Sequence, residues 1–228
     1  MQIALAAILG VSLLSTFSMA AEKPELKDTK EKESYSLGYQ FGQSLKVQAV
    51  DLDLEIYASG IRDALSGATP PLSPDEIRTV VMELQKRIAA ARQKGMQEIA
   101  DKNLAESKAF LEANRKKDGV VTVPSGLQYK VLVEGSGKTP KATDSVTVNY
   151  RGTLIDGKEF DDSYKRGQPA TFEVGKVIRG WTEALQLMKE GAKWQLFIPP
   201  TLAYGDRGAG PIPPNSTLIF EVELISVK

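Results

Sequence analysis

The sequence predicts an α+β protein in which an all-helical N-terminal part and a long connecting helix precede a C-terminal antiparallel β-sheet wrapped on one short α-helix. Two observations lead to this prediction. Helical patterns with few turn signals extend from residue 22 to about residue 118, and from Val120 onward apolar and polar residues alternate with period two. The chain is accordingly divided into a leader at 1–20, a helical dimerisation region at 21–72, a connecting helix at 73–118 and a sheet domain at 119–228.

The composition of the 228-residue chain excludes several kinds of function. The chain has no His and no Cys, so catalytic triads, Cys nucleophiles, Cys/His zinc sites and disulfides each lack a required side chain. The 29 Lys and Arg residues balance the 29 Asp and Glu residues, and a net charge of zero gives no support to a nucleic-acid partner. We expect no metal, no cofactor and no nucleic acid.

The first 20 residues have the pattern of a secretory signal peptide. An apolar run covers residues 3–14, and small residues ending at Ala20, the expected cleavage position, precede the charged pair Glu22-Lys23. The apolar core is shorter than the ~20 residues needed to span a bilayer. Because Met1-Gln2 carries no basic residue, an uncleaved anchor is the alternative to export with no membrane span after processing.

Two helices are predicted before residue 72. The first covers about residues 30–46. It carries Gly38 and Gly42 one turn apart, which favours close approach of another helix, although glycines also simply weaken a helix. The second helix follows Asp53, a typical N-cap residue, and ends at Gly67, a residue suited to a helix C-terminus.

The strongest helix start in the chain is at residues 73–76. Ser73 is the N-cap, Pro occupies the first turn and Glu76 completes a capping box. Because no Pro follows until Pro124, a helix of about 40 residues is possible. An apolar stripe marks its first half, whereas beyond Ile99 the stripe becomes sparse and we expect a solvated strut. A long helix with one exposed apolar face predicts a homodimer, with a monomeric helical cap as the alternative.

Strands are predicted where same-face apolar residues recur at every second position in the C-terminal part. These residues lie within 127–133, 146–150, 170–174 and 218–224. One helical pattern, Trp181 to Met188, interrupts the strands. Residues 135–139 resemble the end of a phosphate-binding loop, but the first Gly of that motif would fall at Leu132, so we expect a hairpin turn there.

Five motifs in the same part of the chain resemble the FK506-binding protein (FKBP) family of prolyl isomerases. They are residues 148–154, 156–161, 177–181, 204–205 and 212–218. The preceding helices are similar to the N-terminal dimerisation domain of the secreted macrophage infectivity potentiator-like branch of Gram-negative bacteria. The resemblance implies an FKBP-type isomerase domain at 119–228, a homodimer and a periplasmic location, with outer-membrane or surface association as an alternative.

The resemblance also implies a shallow apolar pocket and its residues. The expected catalytic residues are Tyr150, Asp161 and Tyr204. The expected substrate-binding residues are Phe160, Phe172, Val177, Ile178, Trp181, Ile212 and Phe220. Trp181 would form the floor, although periodicity alone would make Phe172 and Phe220 ordinary core residues. The implied partners are unfolded or proline-containing polypeptides, with FK506- or rapamycin-like macrolides as inhibitors.

Prolyl isomerisation suits a chain without His or Cys. Rotation about the amide crosses a barrier of about 18 to 20 kcal/mol without making or breaking a bond between heavy atoms. An apolar site favours the twisted state, in which amide resonance is lost. By resemblance Tyr204 would donate to the substrate carbonyl, and Asp161 would either orient neighbouring tyrosines or accept a weak contact from the twisting amide. Burial of Asp161 would raise its pKa towards neutrality and let its charge take part directly. The alternative function is a dimeric periplasmic chaperone or proline-peptide binding module with incidental isomerase activity.

Overall fold

The computed structural model describes residues 25–228, so the leader predicted at 1–20 lies outside the described residues. The chain separates into two compact units, Met1–Pro71 and Leu72–Lys228. Within residues 25–228, none of the helices combines the length and the apolar character that crossing a lipid bilayer requires.

Between residues 25 and 71, the described part of the first unit, the chain forms two helices, α1 (Thr29–Val47) and α2 (Leu54–Ser66). Asp53 caps α2 by accepting hydrogen bonds from the first backbone N–H groups of the helix, and Gly67 ends it with a positive φ of 73°. Both helices predicted for this region are confirmed.

The two helices of the first unit contact each other through aromatic rings. Phe41 of α1 stacks on Tyr57 of α2 with 4.9 Å between ring centroids and 8° between planes. A side chain added at Gly38 or Gly42 would have no atom within 4 Å, so this face of α1 is open in the single chain.

The second unit begins with α3 (Pro74–Asn114), a helix of 41 residues. The side chain of Ser73 accepts from the Glu76 N–H, and the Glu76 carboxylate accepts from the Ser73 N–H at 2.8 Å. These reciprocal bonds satisfy backbone donors that the first turn leaves unpaired. The predicted start and length of the helix are confirmed.

The second half of α3 packs on the β-sheet, and the prediction that it is a solvated strut is wrong. Ala100, Ser107 and Asn114 are buried at intervals of seven residues, so they lie on one face of the helix. Phe110 contacts Phe197 of the sheet with 6.0 Å between ring centroids. Sequence reasoning missed this face because small and polar residues form most of it.

Seven strands form one antiparallel sheet in the order β1-β2-β6-β7-β3-β4, with β5 paired to β3. The strands are β1 (Val120–Thr122), β2 (Gln128–Val133), β3 (Ser145–Leu154), β4 (Glu159–Asp162), β5 (Ala170–Glu173), β6 (Lys193–Ile198) and β7 (Leu218–Val227). One short helix, α4 (Arg179–Leu185), packs on the sheet. The predicted α+β class, with a sheet wrapped on a single short helix, is confirmed.

The central strands follow the alternation that the sequence predicts. In β7 every second residue from Leu218 to Leu224 is buried, and β3 alternates in the same way. The strand β6 was not predicted, although it lies between β2 and β7. Trp194 and Leu196 alternate with half-buried residues, but Leu196, Phe197 and Ile198 are all buried, so the alternating signal in β6 is short.

The segment at residues 135–139 is not a hairpin turn. The strands before and after it are not neighbours, since β2 pairs with β6 and β3 pairs with β4, β5 and β7. Its backbone packs instead on the connection before β6, where the Ser136 and Gly137 N–H groups donate to the Glu190 carbonyl at 3.2 and 3.1 Å. A Cβ at Gly135 would lie 2.5 Å from the Lys189 oxygen, which explains the glycine.

Candidate active site

Trp181 forms the centre of an aromatic cluster at the first turn of α4. It is only 4% exposed. Three rings meet its indole edge-on: Tyr150 at 5.2 Å, Phe172 at 5.7 Å and Phe220 at 5.2 Å between centroids, with interplanar angles of 89°, 85° and 80°. Edge-to-face contact is a preferred arrangement of aromatic pairs, so these rings hold one another in position.

Two glycines allow this cluster to form. Gly180 lets α4 lie against β6, because a Cβ at this position would collide with the side chain of Ile198. Gly152 of β3 lies opposite Phe220 of β7, and a Cβ there would come within 2.7 Å of the Phe160 and Phe220 rings. The close approach of helix and strands therefore depends on the absence of these two side chains.

An open cavity of about 400 Å³ lies over the cluster. Its lining residues are Tyr150, Asp161, Phe172, Lys176, Val177, Ile178, Trp181, Tyr204 and Phe220. The volume falls within the usual range for small-molecule sites, and the lining is mostly aromatic and aliphatic. The cavity suits an apolar ring with a few polar groups around it.

All but two of the residues predicted for the site line this cavity. Phe160 is not one of the lining residues and meets the Phe220 ring edge-on at 5.4 Å between centroids. Ile212 is buried in the core and exchanges backbone hydrogen bonds with Ala209, both at 2.9 Å. Direct contact of Phe160 and Ile212 with substrate stays a prediction.

Lys176 lines the cavity and was not predicted. Its ammonium group lies 2.9 Å from the Glu173 carboxylate, and both side chains are largely exposed. A single basic residue in a loop carries no pattern that distinguishes it from a solvated surface charge, so sequence reasoning had no signal here.

The polar side of the cavity is a hydrogen-bonded group of Tyr150, Asp161 and Arg166. The Tyr150 hydroxyl donates to the Asp161 carboxylate at 2.5 Å, and the Arg166 guanidinium donates to the Tyr150 oxygen at 2.7 Å. Arg166 also forms an ion pair with Asp161 and lies 5.3 Å from the centre of the Tyr150 ring. Arg166 was not predicted, because it lies in a polar turn between β4 and β5.

These contacts shift the pKa values of both acidic groups. Partial burial of Asp161 disfavours its charge, but hydrogen bonds from Tyr150 and Arg166 outweigh that effect and hold the pKa of Asp161 below its ordinary value. Burial raises the pKa of Tyr150, and its hydrogen bond to Asp161 acts in the same direction. The possibility that burial raises the Asp161 pKa towards neutrality is therefore contradicted. Asp161 is ionised and Tyr150 is neutral at pH 7.

Tyr204 also lines the cavity and is 41% exposed. It directly precedes a 3₁₀ turn, Gly205–Arg207, whose first residue has a positive φ of 59°. Within residues 25–228, no three His, Cys, Asp or Glu side chains come close enough to hold a metal ion. The groups available for chemistry at this cavity are aromatic rings, two tyrosine hydroxyls, one paired carboxylate and the Lys176 ammonium group.

An antiparallel sheet wrapped on a short helix, with an open aromatic cavity over Trp181, defines a class of protein with an apolar candidate site. Family models give the class its name. The model described as "FKBP-type peptidyl-prolyl cis-trans isomerase" matches residues 136–225, and the model described as "Domain amino terminal to FKBP-type peptidyl-prolyl isomerase" matches residues 30–131.

Individual relatives agree with the family models. The chain is 46% identical to "Outer membrane protein MIP" of Legionella longbeachae, over all of this chain and 98% of the relative. It is 42% identical to "FKBP-type peptidyl-prolyl cis-trans isomerase FkpA" of Escherichia coli K12, over 98% of this chain and 89% of the relative. The crystal structure of FkpA from Escherichia coli aligns with a TM-score of 0.73 at 44% identity, covering 90% of this chain and 99% of that chain.

The chain belongs to the FKBP-type peptidyl-prolyl cis-trans isomerase family, and the family and enzyme class predicted from its sequence are confirmed. The amino-terminal model extends that similarity to the helices. Isomerase function is favoured over the alternative of a binding module with incidental activity.

Proposed function

We propose that the prolyl ring of the substrate binds in the cavity over Trp181 and that isomerisation takes place there. The observation that carries this proposal is the edge-on contact of three rings with one buried indole beneath an open cavity. Val177 and Ile178 add aliphatic walls. Such a surface removes water from the planar amide, and loss of that solvation raises the ground state relative to the twisted one.

Two polar groups complete the proposed site. The Tyr204 hydroxyl donates a hydrogen bond to a substrate carbonyl and holds the peptide in place. The charged Asp161 carboxylate is paired with the Arg166 guanidinium and accepts a hydrogen bond from the Tyr150 hydroxyl, so Asp161 orients the Tyr150 ring rather than exchanging a proton. No proton transfer is required at any step.

We infer that the full chain acts as a homodimer on unfolded, proline-containing polypeptides. Several apolar side chains of the helices are exposed in the single chain and would be covered by a second copy. They include Leu37, Tyr39, Val47, Leu54, Ile56, Val80 and Val81. Apolar patches of this extent are typical of interaction surfaces, and the open Gly38 and Gly42 positions allow a helix to approach closely.

The leader-like residues 1–20 support export, and we place the protein in the periplasm, with outer-membrane or surface association as the alternative.

A dimer with two separated cavities would bind an unfolded chain at two points, which supports a chaperone contribution. An apolar cavity of about 400 Å³ also supports binding of FK506- or rapamycin-like macrolides.

The test compares full-length protein on a short proline peptide, in a protease-coupled assay, and on an unfolded protein whose refolding is limited by proline isomerisation. If the protein is active on both substrates and a macrolide inhibits both activities, the result supports the proposed cavity. A large advantage on the protein substrate shows that the helices contribute client binding. Full activity in the presence of a saturating macrolide would contradict the proposed cavity.

A further inference from the structure

Asn215 connects the long helix α3 to the segment that carries Tyr204. Its side-chain amide donates to the carbonyl oxygen of Ala100 on α3 at 3.2 Å. Its backbone N–H donates to the carbonyl oxygen of Gly205 at 2.8 Å, and Gly205 directly follows Tyr204 in the chain. One residue is therefore bonded both to the helix and to the rim of the cavity.

The backbone of Asn215 is in the left-handed region, with φ at 53°. Residues other than glycine rarely adopt this backbone conformation, although Asn tolerates it better than most. Such a conformation persists where the surrounding structure holds it. Here the two hydrogen bonds to Ala100 and Gly205 hold it from opposite sides.

Two more contacts join the same face of α3 to the residues around Asn215. The Asn103 amide donates to the Pro214 carbonyl oxygen at 2.7 Å. The hydroxyls of Ser107 and Thr217 share a short hydrogen bond, and both side chains are buried. A partly or fully buried hydrogen bond is costly to break without replacement, so these contacts hold α3 and this segment together.

The Tyr204 segment has little rigidity of its own. Gly205, Gly208 and Gly210 all have positive φ values, between 53° and 66°. Glycine-rich backbone samples many conformations unless other parts of the protein restrain it. The bond from Asn215 to the Gly205 carbonyl is such a restraint, and it is placed one residue from Tyr204.

We propose that α3 positions Tyr204 through Asn215, so that the second half of the long helix is part of the isomerase site. Asn215 is a positioning residue, since it acts on the substrate only through Tyr204. The proposal rests on the role proposed above for the Tyr204 hydroxyl. A hydrogen-bond donor that moves by a fraction of an ångström loses much of its effect on a reacting group, so loosening this restraint lowers turnover.

The test is a double-mutant cycle in the full-length chain, measured as kcat/KM on a proline peptide. Asn215→Gly keeps the backbone conformation and the N–H but removes the amide bond to Ala100. It should lower kcat/KM by about two- to tenfold, the range that one hydrogen bond allows. In a Tyr204→Phe background the same substitution should change kcat/KM by less than about twofold, because the two residues act through one contact.

Asn103→Ala is a second variant, which removes a contact of α3 without changing the segment around Asn215. Because Ala is a good helix former, this variant should fold and can be measured even if Asn215→Gly does not fold. The matched control is Gln97→Ala, whose amide bonds only to Asp101 on the same exposed helix surface. The control should leave kcat/KM unchanged. Equal losses in the native and Tyr204→Phe backgrounds would mean that Asn215 has a merely structural role, and the proposal would be overturned.

Amide hydrogen exchange separates failure of this proposal from failure of the proposed function. Exchange of the Asn215 N–H, which reports the bond to Gly205, should be faster in Asn103→Ala than in Gln97→Ala. Faster exchange with no effect of Tyr204→Phe on turnover would support the link from α3 but refute the role of the Tyr204 hydroxyl. Unchanged exchange would overturn the link itself.

Discussion

The Tyr150 ring meets the Trp181 indole edge-on, with 5.2 Å between centroids and 89° between planes. The hydroxyl of the same tyrosine donates to Asp161 at 2.5 Å. One side chain thus connects the apolar floor of the cavity to its charged wall. The orientation of the cavity floor and the ionisation of Asp161 are therefore linked.

Trp181→Ala should lower kcat/KM on proline peptides by about tenfold or more, because the floor of the cavity is lost. Truncation of a buried aromatic also costs about 3–5 kcal/mol of stability. The matched control is Trp194→Ala, since Trp194 is equally buried and stacks on Tyr129 outside the cavity. Both variants should lose similar stability, and only the first should lose activity and macrolide binding. A folded Trp181→Ala protein with full activity would refute the pocket assignment.

Tyr204→Phe should lower kcat/KM about two- to tenfold, because one hydrogen bond to substrate is lost while the ring remains. Tyr164→Phe is the control, as the Tyr164 hydroxyl donates to Glu223 on the sheet, 3.1 Å away, and does not line the cavity. Circular dichroism should show both variants folded. Equal activities for the two variants would argue against a role for the Tyr204 hydroxyl.

Turnover of a peptide without titratable groups should stay nearly flat from about pH 6 to 8, since the chain has no His and the pKa of Asp161 is lowered. A carboxyl whose folded-state pKa is depressed adds stability above its unfolded pKa, and this contribution is lost as the pH falls through the folded value. For Asp161 the loss is expected below about pH 4. Thermal unfolding measured above and below about pH 4 should show this loss of stability. Asp161→Asn should abolish the part of the loss that Asp161 contributes. A steep rate change near pH 7 that Asp161→Asn removes would contradict the desolvation mechanism.

Gly42→Leu should weaken the proposed dimer, because a large side chain on the open face of α1 would separate the two copies. In a monomer the same change would be harmless or slightly stabilising, since Gly is a poor helix former. Gln40→Leu adds the same side chain to a position about 200° away around the helix. Light scattering should find the Gln40→Leu protein dimeric and the Gly42→Leu protein shifted towards monomer. A monomeric unmodified chain would rule out the dimer.

Phe110→Ala should lower the stability of the sheet-containing unit by about 1–3 kcal/mol, less than for a fully buried ring. Phe110 lies on α3 and contacts Phe197 of β6. Lys108→Ala, on the exposed face of the same helix, is the control and should leave the melting temperature unchanged. Equal melting temperatures for the two variants would mean that the second half of α3 contributes little to the unit.

The sequence predicted best what depends on neighbours in the chain. Ser73 and Glu76 cap α3 through bonds that span three residues, and Asp53 caps α2 in the same way. Alternation along β7 likewise depends only on which face of a strand is buried. The strand order could not be predicted in this way, because the position of β6 between β2 and β7 depends on pairing between distant segments.

The candidate site shows the same division. From periodicity alone Phe172 and Phe220 were ordinary core residues, and only the resemblance to the FKBP family placed them in the wall of the pocket. Arg166 and Lys176 were missed because their loops carry no pattern, yet the folded chain brings Arg166 to within 2.7 Å of the Tyr150 oxygen. Local sequence cannot specify such a contact, since its geometry depends on how β3 and the following turn pack together.

The sequence by itself determined the helices, their caps, the alternating strands and, through its motifs, the enzyme family. Tertiary structure alone decided that one face of the second half of α3 is buried. In the sequence Ser107 and Asn103 resemble solvated helix residues. In the fold Ser107 bonds to Thr217, 110 residues further along the chain, and Asn103 bonds to Pro214, 111 residues further along. Burying a polar side chain is costly unless a matching partner satisfies it, and here that partner is supplied by the fold rather than by the adjacent sequence.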